Sequence, residues 1–470
     1  MKKTKKAFSL FLVTSMLFLL LSGCSGGGNG GASSPAAEPA QGAAPESTAA
    51  GNPAPGAEEA ASEEAGGELK IGIICNMSST HAATNGWLVA AWEAAAGRIN
   101  ANGGIDGKQI KCELYDPESD ASTVKQRLTD IKNSGAVCAI YTSGDALAPS
   151  AAEWASQNKF PVFLVSNTST QITLGNYSDY AFNMGKNAWG FAKILALHCV
   201  GTEGMKNFCF VGTDGAATID AENFLIYEGQ KIDPEFQMLA SYRINFNDTE
   251  FSNIISSVSG IQPDMVLQQG GGPNFVSFCQ QAALFDLFSS CGVYNDLVTD
   301  CSTNQPLIAG EEFPYGYTHG IFTMPFWDES RMDAELIQWT KDFAEVPVAK
   351  ENGYFPSDNG LAVYNIFRVL TQALESCVAE GKDYTDSEVL TQAISAVKYT
   401  DCNGEHYFRT GLDNQYVTNI YYGTSKFDEA FPEVVVCDNI ETFTGDDYLP
   451  TEEEMKAWAQ DHGYDTSRFQ

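Results

Sequence analysis

The stretch AVCAIYTSGDALAPSAAEWASQNKFPVFLVSNTST, residues 136–170, decides the fold class. Its first and last apolar runs, AVCAIY and FPVFLV, have the length of buried strands, and residues 146–158 between them predict a helix. Strands that are apolar throughout are typical of a parallel sheet covered by helices on both faces. This stretch therefore predicts an α/β fold.

The same alternation extends in both directions along the chain. Strand patterns occur at residues 69–76 and 108–116, and the pattern restarts after residue 185 with strands, helices and closing hairpin-like segments. About 400 residues are too many for one small core, so we predict two lobes, each with a doubly wound parallel sheet, joined by a hinge that the chain crosses more than once. The expected boundaries are 69–185 and 325–400 for the first lobe, 186–324 and 401–445 for the second, and 446–470 for a C-terminal tail.

The amino terminus has the pattern of an export signal. Four lysines precede an apolar run, and the sequence Leu-Ser-Gly-Cys then ends at Cys24. This resembles the lipobox of bacterial lipoproteins, so residues 1–23 are expected to be removed and Cys24 acylated. An ordinary signal peptide and a retained membrane span remain the alternatives. Residues 24–68, nearly all Gly, Ala, Ser, Pro and Glu, are expected to form a disordered linker to a lipid anchor on the extracytoplasmic face of the membrane.

Composition excludes several classes of function. A net charge of −33 makes nucleic acid and anionic lipid surfaces poor partners. The twelve cysteines form no Cys-x-x-Cys pair and the five histidines are scattered, so we expect no metal and no cofactor. Most cysteines are expected to be buried free thiols.

Hydroxyl-bearing and amide side chains recur where the predicted strands end. The strand FPVFLV leads into SNTST at residues 166–170, and AVCAIY leads into TSGD at residues 142–145. Ligands of open parallel sheets bind at the carboxyl ends of the strands. We therefore predict a neutral, polar ligand site at this edge of the sheet.

Two long stretches resemble a known family. Residues 99–131, INANGGIDGKQIKCELYDPESDASTVKQRLTDI, and residues 142–173 are similar to the first lobe of the leucine/isoleucine/valine-binding proteins. These are solute receptors of ATP-driven amino-acid importers with the type 1 periplasmic-binding fold. The resemblance implies an amino acid or similar small zwitterion as ligand, with a permease and an ATPase as partners.

The resemblance also implies which residues bind the ligand carboxylate. Hydroxyls and backbone amides at helix amino termini hold an anion without a cationic side chain. Asp145 has an alternative role as the N-cap of the helix that follows it. The matching positions in this chain are Ser143, Gly144, Asp145, Ser166, Asn167 and Thr168.

The second lobe departs from the family pattern. An aromatic residue is expected after its first strand, where residues 213–217 read TDGAA. Asp296 is nearest to the family's acidic position for the ligand ammonium, with Tyr294 beside it as a pocket wall. Trp327 either lines the pocket or packs in the hinge.

The leading hypothesis is a tethered solute-binding protein of an importer. The alternative is a sensor of the same fold that passes the ligand-bound state to a signalling protein. We expect no enzymatic activity, because the only Gly-x-Ser-x-Gly match, at residues 23–27, lies at the lipidation site, where no strand-turn-helix elbow forms.

Overall fold

The computed structural model describes residues 66–78, 82–165, 169–245, 248–271, 273–299 and 313–469, except for the side chains of residues 82–84 and 273. The predicted signal peptide, Cys24 and most of the predicted linker lie outside the described residues. The described part contains two main sheets and one small sheet. All pairs within the first sheet are parallel. This confirms the predicted α/β class and its two parallel-sheet lobes.

The first sheet has the strand order β2-β1-β3-β4-β5. Its central strands are apolar because both faces are covered by helices, as predicted for a parallel sheet. The strands are β1 (Glu68–Ile74), β2 (Gln109–Tyr115), β3 (Cys138–Tyr141), β4 (Val162–Leu164) and β5 (Ala181–Asn183). The helices between them are α1 (Ala82–Ala101), α2 (Ala121–Asn133) and α3 (Ala148–Asn158), followed after β4 by a π-helical turn, Gln171–Gly175.

The second sheet has seven strands in the order β15-β14-β10-β9-β8-β6-β7. The five from β6 to β10 pair in parallel, whereas β14 and β15 join antiparallel. The strands are β6 (Asn207–Thr213), β7 (Gln237–Ile244), β8 (Met265–Gln269), β9 (Gly292–Tyr294), β10 (Thr318–Phe322), β14 (Ile420–Lys426) and β15 (Val436–Phe443). The helices are α4 (Ala188–Leu195), continued by a π-helical segment (Ala196–Thr202), α5 (Ala216–Ile232), α6 (Ser252–Ile261) and α7 (Pro273–Leu284).

Four helices return to the first lobe after β10. They are α8 (Ala334–Glu345), α9 (Pro347–Asn352), α10 (Asp358–Ala379) and α11 (Ser387–Ala396). Trp339 of α8 and Leu361 of α10 are buried in one cluster with Trp92 of α1. The long helix α10 begins at a capped end, because the Ser357 hydroxyl accepts a hydrogen bond from the Gly360 N–H.

A small antiparallel sheet follows, formed by β11 (Lys398–Asp401), β12 (Gly404–Phe408) and β13 (Tyr416–Val417). Phe408 and Tyr416 pack in the first-lobe cluster. The last passage to the second sheet therefore falls between β13 and β14, later than the expected boundary at residue 401. The chain passes between the sheets after β5, after β10 and after β13, which gives the hinge three crossings.

The C-terminal residues pack on the second lobe. After β15 the chain forms α12 (Gly445–Tyr448) and α13 (Glu452–His462). Trp458 of α13 lies against Trp189 of α4 and Phe224 of α5, with ring centroids 5.4 and 4.5 Å apart. The predicted C-terminal tail, residues 446–470, is therefore part of the second lobe.

The ten described cysteines are all free thiols, and eight of them are buried. This confirms for the described part of the chain that these residues act mainly as small apolar side chains. Burial raises the pKa of the Cys75 thiol to about 11, so this thiol stays protonated at neutral pH. No helix among the described residues is long and apolar enough to span a membrane.

Candidate functional site

Polar residues lie at the carboxyl ends of strands in both sheets. In the first lobe, Asn76 follows β1 and Ser143 follows β3. In the second, Gln269 ends β8 and Asp296 follows β9. The carboxyl ends of parallel strands share one edge of a sheet, so each lobe presents its polar residues along one edge.

Ser143 has a buried hydroxyl group in the loop after β3. Its Oγ is buried and forms no hydrogen bond with any residue that the structure describes. A buried hydroxyl without a partner costs free energy, which a bound acceptor would recover. Next to it, Gly144 has a φ of +88°, and its carbonyl accepts a hydrogen bond from the Tyr141 hydroxyl at 2.9 Å. This bond fixes the loop after β3.

Asp145 does not cap the next helix. Helix α3 begins at Ala148, two residues later than predicted, and its N-cap is Leu147, which makes no side-chain capping bond. The N-cap alternative for Asp145 is therefore wrong, and Asp145 lies in the turn before the helix. Its role towards a ligand stays a prediction.

The segment after β4 divides into two parts. Ser166, Asn167 and Thr168, the predicted carboxylate contacts, lie outside the described residues. Ser169 and Thr170 are described, and both side chains are buried. They donate hydrogen bonds to the carboxylate of Asp220, which belongs to α5 of the second lobe. The end of this motif therefore contacts the opposite lobe.

Asp296 is a partly buried acid in the second lobe. Loss of hydration raises the pKa of its carboxyl group, while Lys186 and a hydrogen bond from Gln269 act in the opposite direction. The neighbouring Asn295 is fully buried and donates to the carbonyls of Gln268 and Gly270, each at 2.9 Å. These bonds hold the loop that carries Asp296.

Lys186 and Asp358 connect the hinge to this loop. The Lys186 ammonium donates to one oxygen of the Asp358 carboxylate and to the backbone carbonyl of Asp296, both at 2.9 Å. The other oxygen of Asp358 accepts the N–H groups of Thr323 and Met324 at 2.9 and 3.0 Å. Lys186 belongs to the first crossing, and Thr323 and Met324 belong to the second.

A small cavity of about 30 Å³ lies beside this ion pair. Lys186, Asp358, Thr323 and Tyr416 are among its lining residues. A cavity of this size holds about one water molecule. It is too small for an amino acid.

Two predicted pocket residues, Tyr294 and the half-buried Trp327, pack against other side chains of the protein. Tyr294 is 1% exposed and lies in the second-lobe core, where its ring stacks on that of Tyr422. Trp327 donates from its indole nitrogen to the Cys437 carbonyl at 3.1 Å, and its ring contacts Phe322. These contacts favour hinge packing for Trp327, the second of its two predicted roles.

One group of described residues has the types and spacing of metal ligands: Asp333, Asp401 and Cys402. Both carboxylates already have partners. Asp401 pairs with Arg368 and with His406, and Asp333 accepts the N–H of Leu336 as the N-cap of α8. The group is therefore explained by its structural contacts.

Sequence reasoning missed Lys186, Asp358 and Asp220. Lys186 directly follows the strand-end sequence AFNMG, and Asp358 follows the helix N-cap Ser357. Both positions carry a local signal, but nothing in the sequence shows that they form a pair 172 residues apart.

A comparison with known protein families decides the identity of the fold. The model of the periplasmic binding protein family matches residues 68–430. The chain belongs to the periplasmic binding protein family. The predicted resemblance is thereby confirmed, and a protein of this family binds a solute and does not transform it, so this chain is not an enzyme. The family also implies an extracytoplasmic location.

Solved structures of periplasmic binding proteins have the same fold. A leucine-, isoleucine-, valine-, threonine- and alanine-binding protein from Brucella ovis, in its closed conformation, superposes with a TM-score of 0.69 at 18% identity, covering 82% of this chain and 97% of that one. An ABC transporter substrate-binding protein from Sphaerobacter thermophilus gives 0.68 at 14% identity, covering 82% and 100%.

A third structure shows a different ligand. A solute-binding protein of an ABC transporter from Rhodopseudomonas palustris BisB5, in complex with 3,4-dihydroxybenzoic acid, gives a TM-score of 0.64 at 18% identity, covering 80% and 97% of the chains. None of the curated proteins matches this chain significantly. The fold therefore accommodates both amino acids and aromatic acids.

Proposed function

We propose that this protein is the extracytoplasmic solute-binding component of an ABC importer, and that it captures an amino acid or a similar small zwitterion between its lobes. We prefer an amino acid to an aromatic acid as the ligand because of the charged groups around Asp296. The family and the fold support solute binding in general, and the charges around Asp296 support a ligand that brings an ammonium group.

The charge balance around Asp296 favours a cationic group. Lys186 lies nearby, but its ammonium pairs with Asp358 and bonds to the backbone carbonyl of Asp296. The Lys186 charge therefore does not fully offset the Asp296 carboxylate, whose pKa remains raised by loss of hydration. A ligand ammonium placed against Asp296 would stabilise the ionised form. A benzoate has no ammonium group to place against Asp296.

The opposite lobe offers donors for a carboxylate. Ser143 has a buried hydroxyl without a described partner, and Gly144 follows it in a fixed loop before α3. Ser166, Asn167 and Thr168 remain proposed contacts on the ground of the resemblance alone. A carboxylate bound to the first lobe and an ammonium bound to the second require both lobes to contact one ligand. Closure of the lobes is then favoured by the ligand.

The partners follow from the same proposal. An importer requires a permease and an ATPase, and the structurally similar proteins from Sphaerobacter thermophilus and Rhodopseudomonas palustris are binding proteins of ABC transporters. We also propose that lipid on Cys24 holds the protein at the extracytoplasmic face of the membrane, with the residues up to 65 as a linker. The export-signal pattern and the lipobox support this anchor.

The choice of ligand is tested by a thermal-shift screen of the folded part, residues 66–470. The panel contains the common α-amino acids, their amides, their decarboxylated amines, and benzoate with its hydroxylated derivatives. A ligand at about 100 times its Kd raises the free energy of unfolding by about 2.7 kcal/mol. The proposal expects stabilisation by at least one α-amino acid and a weaker effect of the amine or amide made from it. Stabilisation by benzoates alone would contradict it.

A further inference from the structure

The segment after β4 is anchored in both lobes. Residues 169–177, called here the bridging segment, lie between two strands of the first sheet. Ile172 is buried in a cluster of the first lobe, whereas Leu174, two residues later, is buried in the core of the second. A short segment with neighbouring side chains in two cores links the two lobes mechanically.

Asp220 fastens the start of the bridging segment to the second lobe. One oxygen of its carboxylate accepts three hydrogen bonds from the first lobe: from the Thr170 hydroxyl at 2.7 Å, the Thr170 N–H at 3.0 Å and the Ser169 hydroxyl at 3.2 Å. Hydrogen bonds to a carboxylate are stronger than those between neutral groups. Ser169 also accepts the Gln171 N–H, so its hydroxyl is fixed from both sides.

The C-terminal residues fasten the other end. Arg468 donates to the backbone carbonyl of Thr173, and its guanidinium lies 4.8 Å from the centre of the Tyr177 ring. Arg468 follows α13, which packs on α4 and α5 of the second lobe. Asp220 and Arg468 of the second lobe therefore both bind the bridging segment of the first lobe.

We propose that the bridging segment is a fourth, non-covalent connection between the lobes, and that Asp220 is the positioning residue that keeps it in place. The three chain crossings allow the lobes to move about the hinge. The bridging segment limits that movement, because opening at this point separates Thr170 from Asp220 or Leu174 from the second-lobe core. Asp220 thus biases the balance between open and closed states. The inference does not depend on which solute is bound.

The test compares Asp220→Ala and Asp220→Asn in the full, ligand-free chain. Asparagine keeps an acceptor oxygen, whereas alanine removes it. Asp461→Ala, on the exposed surface of α13, serves as the control that removes one negative charge from the same lobe. Hydrogen exchange is measured by mass spectrometry, and the radius of gyration by X-ray scattering.

We expect Asp220→Ala to raise exchange throughout residues 169–177 by about tenfold to a hundredfold, the range for lost hydrogen bonds to a charged group. The radius of gyration should increase, while Asp220→Asn and the control remain close to the unmodified protein. Arg468→Met should raise exchange at residues 173–177. Faster exchange at Thr170 alone with an unchanged radius would show only a local contact, and unchanged exchange in Asp220→Ala would show no contact of consequence. Either result overturns the inference.

Discussion

Lys186 and Asp358 form an ion pair whose side chains are 12% and 9% exposed, with 2.9 Å between Nζ and Oδ2. Asp358 stands at the start of α10 in the first lobe, and Lys186 lies on the first crossing to the second. The Asp358 carboxylate also accepts hydrogen bonds from Thr323 and Met324, so it binds residues of both the first and the second crossing. The pair therefore fixes the geometry of the hinge next to Asp296.

Replacing Lys186 by methionine should destabilise the protein. The change leaves the Asp358 carboxylate buried without its cation, and breaking one partner of such a pair typically costs about 3 to 5 kcal/mol. Urea denaturation measures the free energy of unfolding. The control is Lys125→Met, because Lys125 forms an exposed pair with Glu153 and such pairs contribute about 1 kcal/mol or less. Equal losses in the two variants would show that the Lys186 pair has no special role.

Ser143→Ala should weaken ligand binding by about tenfold to a hundredfold, because a hydrogen bond to a charged group contributes about 1.5 to 3 kcal/mol. Stability should change little, since the Ser143 hydroxyl bonds to no residue that the structure describes. Calorimetric titration measures the affinity. Ser156→Ala, on the exposed face of α3, is the matched control. A large fall in melting temperature with the loss of binding would indicate a structural role for Ser143.

The affinity for an ammonium-bearing ligand should fall as the pH is lowered. The raised pKa of Asp296 means that its carboxyl group takes up a proton at a higher pH than an exposed aspartate does. The neutral acid attracts an ammonium less well, so the affinity is full above that pKa and declines as the pH falls through it. The free energy of unfolding of the ligand-free protein should depend on pH in the opposite direction. Because the folded pKa of Asp296 is raised, its contribution to stability is present at low pH and is lost as the pH rises through the folded pKa.

Calorimetry in two buffers with different ionisation enthalpies checks this dependence. Binding near the raised pKa should release a proton, because the ligand favours ionised Asp296. Asp296→Asn should bind weakly and release no proton from this site. If the affinity depends on pH in the same way in Asp296→Asn and in the unmodified protein, another group is responsible for the pH dependence.

Deleting residues 25–65 should leave the affinity unchanged. The segment contains none of the large apolar residues that a core requires. The deletion must stop there, because the Gly67 carbonyl accepts the Gln109 N–H and β1 begins at Glu68. A loss of affinity of about tenfold, which corresponds to about 1.4 kcal/mol, would show that the linker contributes to the folded part.

The mature chain should begin at a lipid-modified Cys24. Intact-mass analysis of protein extracted from membranes reports both the cleavage point and the added mass. Cys24→Ser should abolish the added mass and release the protein from the membrane fraction. A chain that retains its amino-terminal lysines, or an unmodified soluble chain, would exclude the anchor.

The sequence predicted the strands and helices of the sheets well for a physical reason. A strand buried on both faces, such as β3, must be apolar throughout, and that pattern is readable locally. The position of the last crossing to the second sheet could not be predicted from the sequence. Phe408 and Tyr416 are apolar residues that could pack in the core of either lobe, and the sequence does not show which. The packing of Trp458 on Trp189 is likewise a contact between distant segments.

The ligand contacts stay predictions, while the structure shows how some of the strand-end side chains are bonded. The pattern of hydroxyls at strand ends predicts Ser143 as a ligand contact, and its Oγ is buried without a partner among the described residues. The motif SNTST predicts hydrogen-bond donors, of which Ser166, Asn167 and Thr168 are the predicted ligand contacts, while Ser169 and Thr170 donate to Asp220 of the other lobe. A local pattern shows which side chains can donate hydrogen bonds, but the acceptor is set by the tertiary fold.

The most direct test is calorimetric titration of the folded part with the best α-amino acid from the screen and with benzoate, in the unmodified protein and in Asp296→Asn. We expect one binding site per chain for the amino acid, with affinity at least about tenfold weaker in Asp296→Asn, because a contact between charged groups is lost. Benzoate binding without amino-acid binding, and tighter in Asp296→Asn, would contradict it.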